Sequence, residues 1–198
     1  MNSSKGFTLI EMMVSIAIFT IITSVVIFNH GKFNSSINVT NLSYEVALAI
    51  RQAQVYGLAV KQDSKVADSV EYAYGVYFDT STEASRKVFY IFADKNDDQQ
   101  FDPSGDPCNG SGECQESIEI RGDVEVSKLG TNVVSNSGDL TVLFLRPNPV
   151  AIIRDESNSG VSSNGRKQAV ITLTSAKADK SKEIVVELSG QISVRDSI

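Results

Sequence analysis

"KGFTLIEMMVSIAIFTIITSVVIF", Lys5 to Phe28, decides how the rest of the chain is read. From Met12 to Phe28 no residue carries a charge. As a helix, Phe7 to Phe28 would be about 33 Å long, close to the roughly 30 Å of a bilayer core. Lys5 on the short flank would keep the N-terminus on the cytoplasmic side. A cleaved secretory signal fits poorly, because no small-x-small site follows and the chain continues "NHGKFNSS". A plain anchor explains everything except Glu11. A carboxylate at the centre of a lipid-facing helix costs roughly 2.5–3.5 kcal/mol, less near the interface, so an inert anchor has no reason to keep one.

The remainder of the 198 residues is a different material. Charged residues recur throughout, and the net charge is −6. Nucleic acid as the main partner is disfavoured, since phosphate contacts need clustered Lys and Arg. Hydrophobic residues at 41% suffice for a packed core. There is no second stretch like a membrane span, no nucleotide loop, no dinucleotide fingerprint, no zinc signature and no nucleophile elbow. The one histidine, His30, lies just past the apolar run, which excludes a Ser–His–Asp or Cys–His site within the body. It reads as a solvated or interfacial residue.

"LSYEVALAIRQAQVYGLAVKQ", Leu42 to Gln62, has helical periodicity. Leu42, Val46, Ala49, Ile50, Ala53 and Val60 share one face, with Glu45, Arg51, Gln52 and Gln62 off it. This predicts a helix packed on a sheet, continuous from Phe7 to about Gln62, or capped anew at Ser43. From Tyr72 the chain reads as strands: Tyr72–Asp79, Arg86–Asp94, Glu116–Leu129, Asp139–Asp155, Lys167–Ser175 and Glu183–Asp196. Short connections imply antiparallel neighbours. Pro147 and Pro149 split the fourth run or place it at an edge. "SSNG" and "SAKADKSK" read as turns. The expected fold is α+β, a long N-terminal helix on an antiparallel sheet.

Cys108 and Cys114 enclose five residues, "NGSGE", too many for a CxxC redox site, and two thiols are too few for zinc. Downstream of an export signal they are expected to form a disulfide, with Gly110 and Gly112 turning the chain back. In "FADKNDDQQFDPSGD", Asp94, Asn96 and Asp98 alternate, and Gln100 and Asp102 follow. Hard oxygens at every second position suit Ca²⁺, as at the start of an EF-hand loop. Gln99 stands where that loop has glycine and Gly105 where it has a bidentate glutamate. The other reading is a solvated acidic hairpin tip rich in turn formers.

"KGFTLIEMM" resembles the class III signal of type IV pilins and type II secretion pseudopilins. The resemblance implies a leader, residues 1–6, removed by a prepilin peptidase between Gly6 and Phe7, with N-methylation of Phe7. Glu11 falls on the family's glutamate, five residues into the mature chain. Residues 7–28 would be the transmembrane and filament-core helix, 29–62 its continuation into the head, and 63–198 the β-sheet head. In a filament, Glu11 would pair with the Phe7 amine of a neighbouring subunit and so act as a register pin. Many members carry a proline where this chain has Phe28, so the helix either stays straight there or breaks at Asn29–Gly31.

"ALAIRQAQVYGLAV", the ending "IVVELSGQISV" and the acidic loop also resemble H-type minor pseudopilins and related minor pilins. Some members of the wider family bind Ca²⁺ in such loops. The implied function is that of a structural subunit, not an enzyme, in a pilus or a secretion pseudopilus. Its partners would be other subunits, the peptidase, an inner-membrane assembly platform and, before assembly, the lipid bilayer. The head would lie outside the cytoplasm. The alternative is a membrane-anchored extracytoplasmic domain, calcium-binding or not, that never polymerises.

Overall fold

The computed structural model describes residues 6–59, 72–102, 108, 112–155, 165–175, 177 and 180–197. One helix, α1 (Leu9–Leu58), runs unbroken for 50 residues, about 75 Å at 1.5 Å per residue. It starts two residues later than the apolar run suggests, because Thr8 is its N-cap and accepts a hydrogen bond from the Glu11 amide. It passes through residues 29–31 without ending, so the expected break at Asn29–Gly31 does not occur. Ser43 starts no new helix. Its hydroxyl donates to the Thr40 carbonyl at 2.6 Å, which satisfies it inside a continuous turn. Val60 and Gln62 lie outside the described residues.

Nine strands follow: β1 (Ala73–Asp79), β2 (Val88–Asp94), β3 (Cys114–Glu119), β4 (Val124–Thr131), β5 (Asp139–Leu145), β6 (Asn148–Asp155), β7 (Gln168–Ser175), β8 (Lys180–Glu187) and β9 (Ile192–Asp196). They form two antiparallel sheets rather than one, ordered β3-β2-β1-β5-β6 and β4-β7-β8-β9. The run expected over Glu116–Leu129 is split between them. At Gly122 the backbone takes φ +83°, which lets the chain leave the first sheet and enter the second. The Asp139–Asp155 run is divided at the cis Arg146–Pro147 bond, and β6 is also an edge, where Pro149 removes an amide at little cost. Lys180–Lys182, expected in a turn, instead begin β8. Of the "SSNG" turn, Gly165 is described, at φ +81°, and residues 162–164 lie outside the described residues.

The main core is one face of α1 against the inner faces of both sheets. Leu42, Val46, Ala49, Ile50 and Ala53 are buried with Val76, Phe78, Phe89, Val142 and Phe144 of the first sheet and Val126, Leu129, Ile171 and Ile184 of the second. The alternation along β1, β2 and β5 sends their other side chains outward. Phe92 and Leu143 form a second, smaller cluster there with Ala73, Phe101 and Cys114. Thus the β2–β3 connection folds back over the outer face of the first sheet. The last turn of α1 lies close on β5: a Cβ on Gly57 would stand 2.2 Å from the Phe144 carbonyl oxygen.

Candidate functional site

Two regions carry the residues singled out by the sequence. The first is the start of α1. Gly6 is exposed, in irregular chain, and a Cβ there would meet nothing within 4 Å. Phe7 is exposed, and Lys5 lies outside the described residues. Glu11 occupies the first helical turn, where the N-terminal end of the helix dipole favours an anionic side chain. Thr8 to Glu11 has the spacing of a capping box, with the Thr8 hydroxyl accepting from the Glu11 amide at 3.3 Å. Thr8 is a residue the sequence reading passed over, although "TLIE" carries the signal.

From Gly6 to Phe28 every residue is exposed except the half-buried Thr23. The most apolar 18-residue window of α1 is 0% buried, and among the described residues α1 is the one helix long and apolar enough to cross a membrane. Three of its hydroxyls are spent internally: Ser15 donates to the Glu11 carbonyl, Thr20 to Ala17 and Thr23 to Phe19. Those three would enter an apolar environment with their hydrogen bonds already made.

The head-bearing half of α1 has a second apolar face that the periodicity argument overlooked. Phe33, Ile37, Tyr44, Leu48 and Val55 are all exposed. At 100° per residue they fall within about 60° of arc, on the side away from the buried stripe, and the exposed Arg51 interrupts them on the same face. The exposed stripe escapes notice in the sequence because the stronger core stripe dominates the same window.

The second region is the β2–β3 connection. Asp94 ends β2 and is 2% exposed. Its Oδ2 accepts from the Gln99 amide at 2.9 Å, and its Oδ1 is buried without a hydrogen-bond partner. The Asn96 Oδ1 accepts from the Asp98 amide, and Asp98 Oδ1 accepts from the Gln100 amide at 2.8 Å. The Asn96 amide group donates to Asp98 Oδ2 and Asp102 Oδ2, at 3.1 and 2.9 Å. Asp97 and Gln99 both take left-handed backbone, φ 61° and 62°. Gln99 thus adopts the conformation that glycine would supply at its position. Among the described residues, no three His, Cys, Asp or Glu side chains stand together as a metal-holding group. Gly105 lies outside the described residues.

Glu113 was not singled out by the sequence, yet it closes this turn. It is buried, its Oε1 accepts from the Lys95 amide and its Oε2 from the Asp102 amide, both at 3.0 Å. Burial pushes the Glu113 carboxyl above its usual range, against the lowering effect of those two bonds. Burial likewise raises Asp94, opposed by the Gln99 and Asp97 amides. The Cys108–Cys114 disulfide is formed, adjacent to Glu113. Gly110 lies outside the described residues. Phe101 fixes the turn to the sheet, its ring 5.1–5.2 Å from those of Tyr77, Tyr90 and Phe92.

The family model for the prokaryotic N-terminal methylation motif matches residues 1–27. The N-terminus therefore carries the prepilin-type signal of type IV pilins and pseudopilins, and the helix and sheets behind it have pilin-like α+β architecture. Proteins with this signal are structural rather than enzymatic, and the signal implies prepilin peptidase processing and other pilin subunits as partners in general. No curated protein and no solved structure matches the chain.

Proposed function

We propose that the chain is a structural subunit of a type IV pilus or a type II secretion pseudopilus. It is cut between Gly6 and Phe7 and methylated at the Phe7 amine. The apolar half of α1 first holds it in the cytoplasmic membrane, with the head on the outer side, and is later transferred into the core of a filament. The observation that carries this reading is the solvent-facing apolar surface of α1. An anchor needs the first half only, whereas the stripe from Phe33 to Val55 continues beyond the length of a bilayer. A neighbouring subunit's helix, apolar on all sides, fits that stripe. In such a core the Glu11 carboxylate is stable only beside a positive group, and the N-terminal amine of Phe7 on the adjacent subunit, which stays cationic when methylated, supplies one.

Mass spectrometry of the mature N-terminus tests the processing step. A methylated Phe7 is expected, and a chain still beginning at Met1 refutes it. Glu11→Ala should leave membrane insertion intact and reduce filament incorporation severalfold. Undiminished incorporation would instead favour an anchored domain that does not polymerise. Leu48→Glu on the exposed stripe should impair incorporation while leaving the head folded.

A further inference from the structure

We propose that the free edge of β3 pairs with the free edge of β9 on a second copy of the chain, so that the first sheet of one head continues, strand parallel to strand, into the second sheet of the next. The inference rests on the filament reading above and adds to it a specific contact between heads.

Each sheet ends in two outer strands. Two of the four are already engaged along their free sides: the Ala151 amide of β6 donates to the Leu188 carbonyl, and the Leu129 carbonyl of β4 accepts from the Ser137 amide. Among the described residues β3 and β9 have no such cover. The Ile120 amide donates to the carbonyl of Lys87, just before β2. With the two-residue period of a strand, the amides and carbonyls of Ser117 and Glu119 therefore point away from the sheet. By the same count from the Glu187–Gln191 bond, Ile192, Val194 and Asp196 turn theirs away from β8. Each edge is thus a row of donors and acceptors ready for another strand.

The two edges flank α1 on opposite sides. A groove of about 830 Å³ separates β3 from Asn41, Glu45 and Gln52. On the helical wheel these three lie to one side of the exposed apolar stripe, and Gln54, which reaches the turn before β9, lies to the other. A contact between two different surfaces of identical chains is head-to-tail, and it propagates instead of closing into a pair.

The strand directions agree with a filament of parallel helices. Gly190, just before β9, bonds Gln54 near the end of α1, so β9 starts there and runs back along the helix. β3 ends shortly before Gly122, which lies against Asn38 lower on α1, so it runs the same way. Two heads on parallel helices therefore present β3 and β9 parallel to each other.

One register matches the side chains as well. It sets Ser117 opposite Ser193 and Glu119 opposite Arg195 on the outer face, and Ile118 opposite Val194 on the face towards α1. Ile118 and Val194 are both half-buried against the core of their own head, so the pairing extends that core across the junction. Glu119 and Arg195 are exposed and of opposite charge. The Arg195 Nε donates to Glu183 of its own head at 2.9 Å, which leaves the terminal nitrogens for Glu119 of the neighbour. In this register the Ser117 and Glu119 amides donate to the Ile192 and Val194 carbonyls, and their carbonyls accept from the Val194 and Asp196 amides.

The test is oxidative cross-linking of the full chain carrying Ser117→Cys and Ser193→Cys. Paired strands lie about 4.8 Å apart, within disulfide reach. Oxidation is carried out on sheared filaments and, separately, on membranes of the same cells, where the unassembled helices are also parallel. A ladder of dimers and larger multimers is expected on a non-reducing gel. Each single-cysteine variant should give no ladder, which also controls for exchange with the Cys108–Cys114 disulfide. The pair Ser117→Cys and Ser135→Cys, which joins β3 to the β4–β5 loop, should give none either. Glu119→Lys should reduce the ladder severalfold, and adding Arg195→Glu to it should restore the ladder. Filaments that form without a ladder would overturn the edge pairing and leave the filament reading standing. A ladder in membranes of cells that make no filaments would support the pairing and count against that reading. No ladder in either preparation, or an equal ladder from the Ser135→Cys pair, would overturn the pairing.

Discussion

The Arg166 guanidinium grips the Asp155 carboxylate at two points, Nε to Oδ2 at 2.7 Å and a terminal nitrogen to Oδ1 at 2.6 Å, with both side chains buried. Asp155 ends β6 in the first sheet, and Arg166 stands two residues before β7 in the second. The Thr131 hydroxyl, at the end of β4, adds a third bond to the same carboxylate. The pair is thus a clasp between the two sheets, at the edge where one chain segment leaves the first and enters the other. Removing one partner leaves a buried charge without its counter-charge. Asp155→Ala should therefore cost about 3–5 kcal/mol, read as a lowered unfolding midpoint of the full chain in detergent. Pairing Asp155→Leu with Arg166→Met should recover much of that loss, because no charge then remains buried. A double variant no better than Asp155→Ala would show that the clasp does not act as a pair.

Gly190 joins three elements at the β8–β9 turn. Its carbonyl accepts from Gln54 Nε2 on α1 at 3.1 Å, and the neighbouring Leu188 carbonyl accepts from the Ala151 amide of β6. Gly190 has φ +84°, and a Cβ there would lie 2.2 Å from the Pro149 carbonyl oxygen and 2.6 Å from Gln54 Nε2. Gly190→Ala should destabilise the head by at least about 2 kcal/mol, combining left-handed strain with a backbone clash. Gly165 is a control, with φ +81° but open space around it. Gly165→Ala should cost only about 1–2 kcal/mol, the conformational part. Equal losses in the two variants would refute the packing argument.

Asp123 supplies a pH dependence. The Ser175 hydroxyl donates to its Oδ2 at 2.6 Å and the Ser35 hydroxyl of α1 also bonds it, which together hold the carboxyl down at about 2. The folded value lies below the unfolded one, near 3.9. The stabilisation is therefore present above about pH 4 and is lost as pH falls from there towards 2. Because the group is partly exposed, its worth is about 1 kcal/mol after solvent screening. Asp123→Asn should be less stable than the parent at pH 6, and the gap should close between about pH 4 and pH 2. A gap that stays constant over that range would mean that the ionised form is not the one the serines stabilise.

The sequence alone determined the elements whose signal is local. The apolar run, its glutamate and Gly6 are read residue by residue, and the methylation motif matches the stretch that holds Gly6 and Glu11, residues 1–27. The core stripe of α1 follows from a 3.6-residue period, and the strands from alternation and β-branched content. Close sequence spacing likewise brought Cys108 and Cys114 together.

The tertiary structure decided what depends on contacts between distant segments. Nothing local in Glu116–Leu129 says that its two halves belong to different sheets, since both alternate equally well. Glu113 is one acidic residue among many until the fold sets it against the amides of Lys95 and Asp102. The Arg166–Asp155 clasp and the Gln54–Gly190 bond join residues whose neighbours in the chain give no hint of the partner. The exposed stripe from Phe33 to Val55 is apolar like the core stripe. Hydrophobicity alone cannot rank two faces of one helix; only the packed sheets show which face they cover and which they leave open.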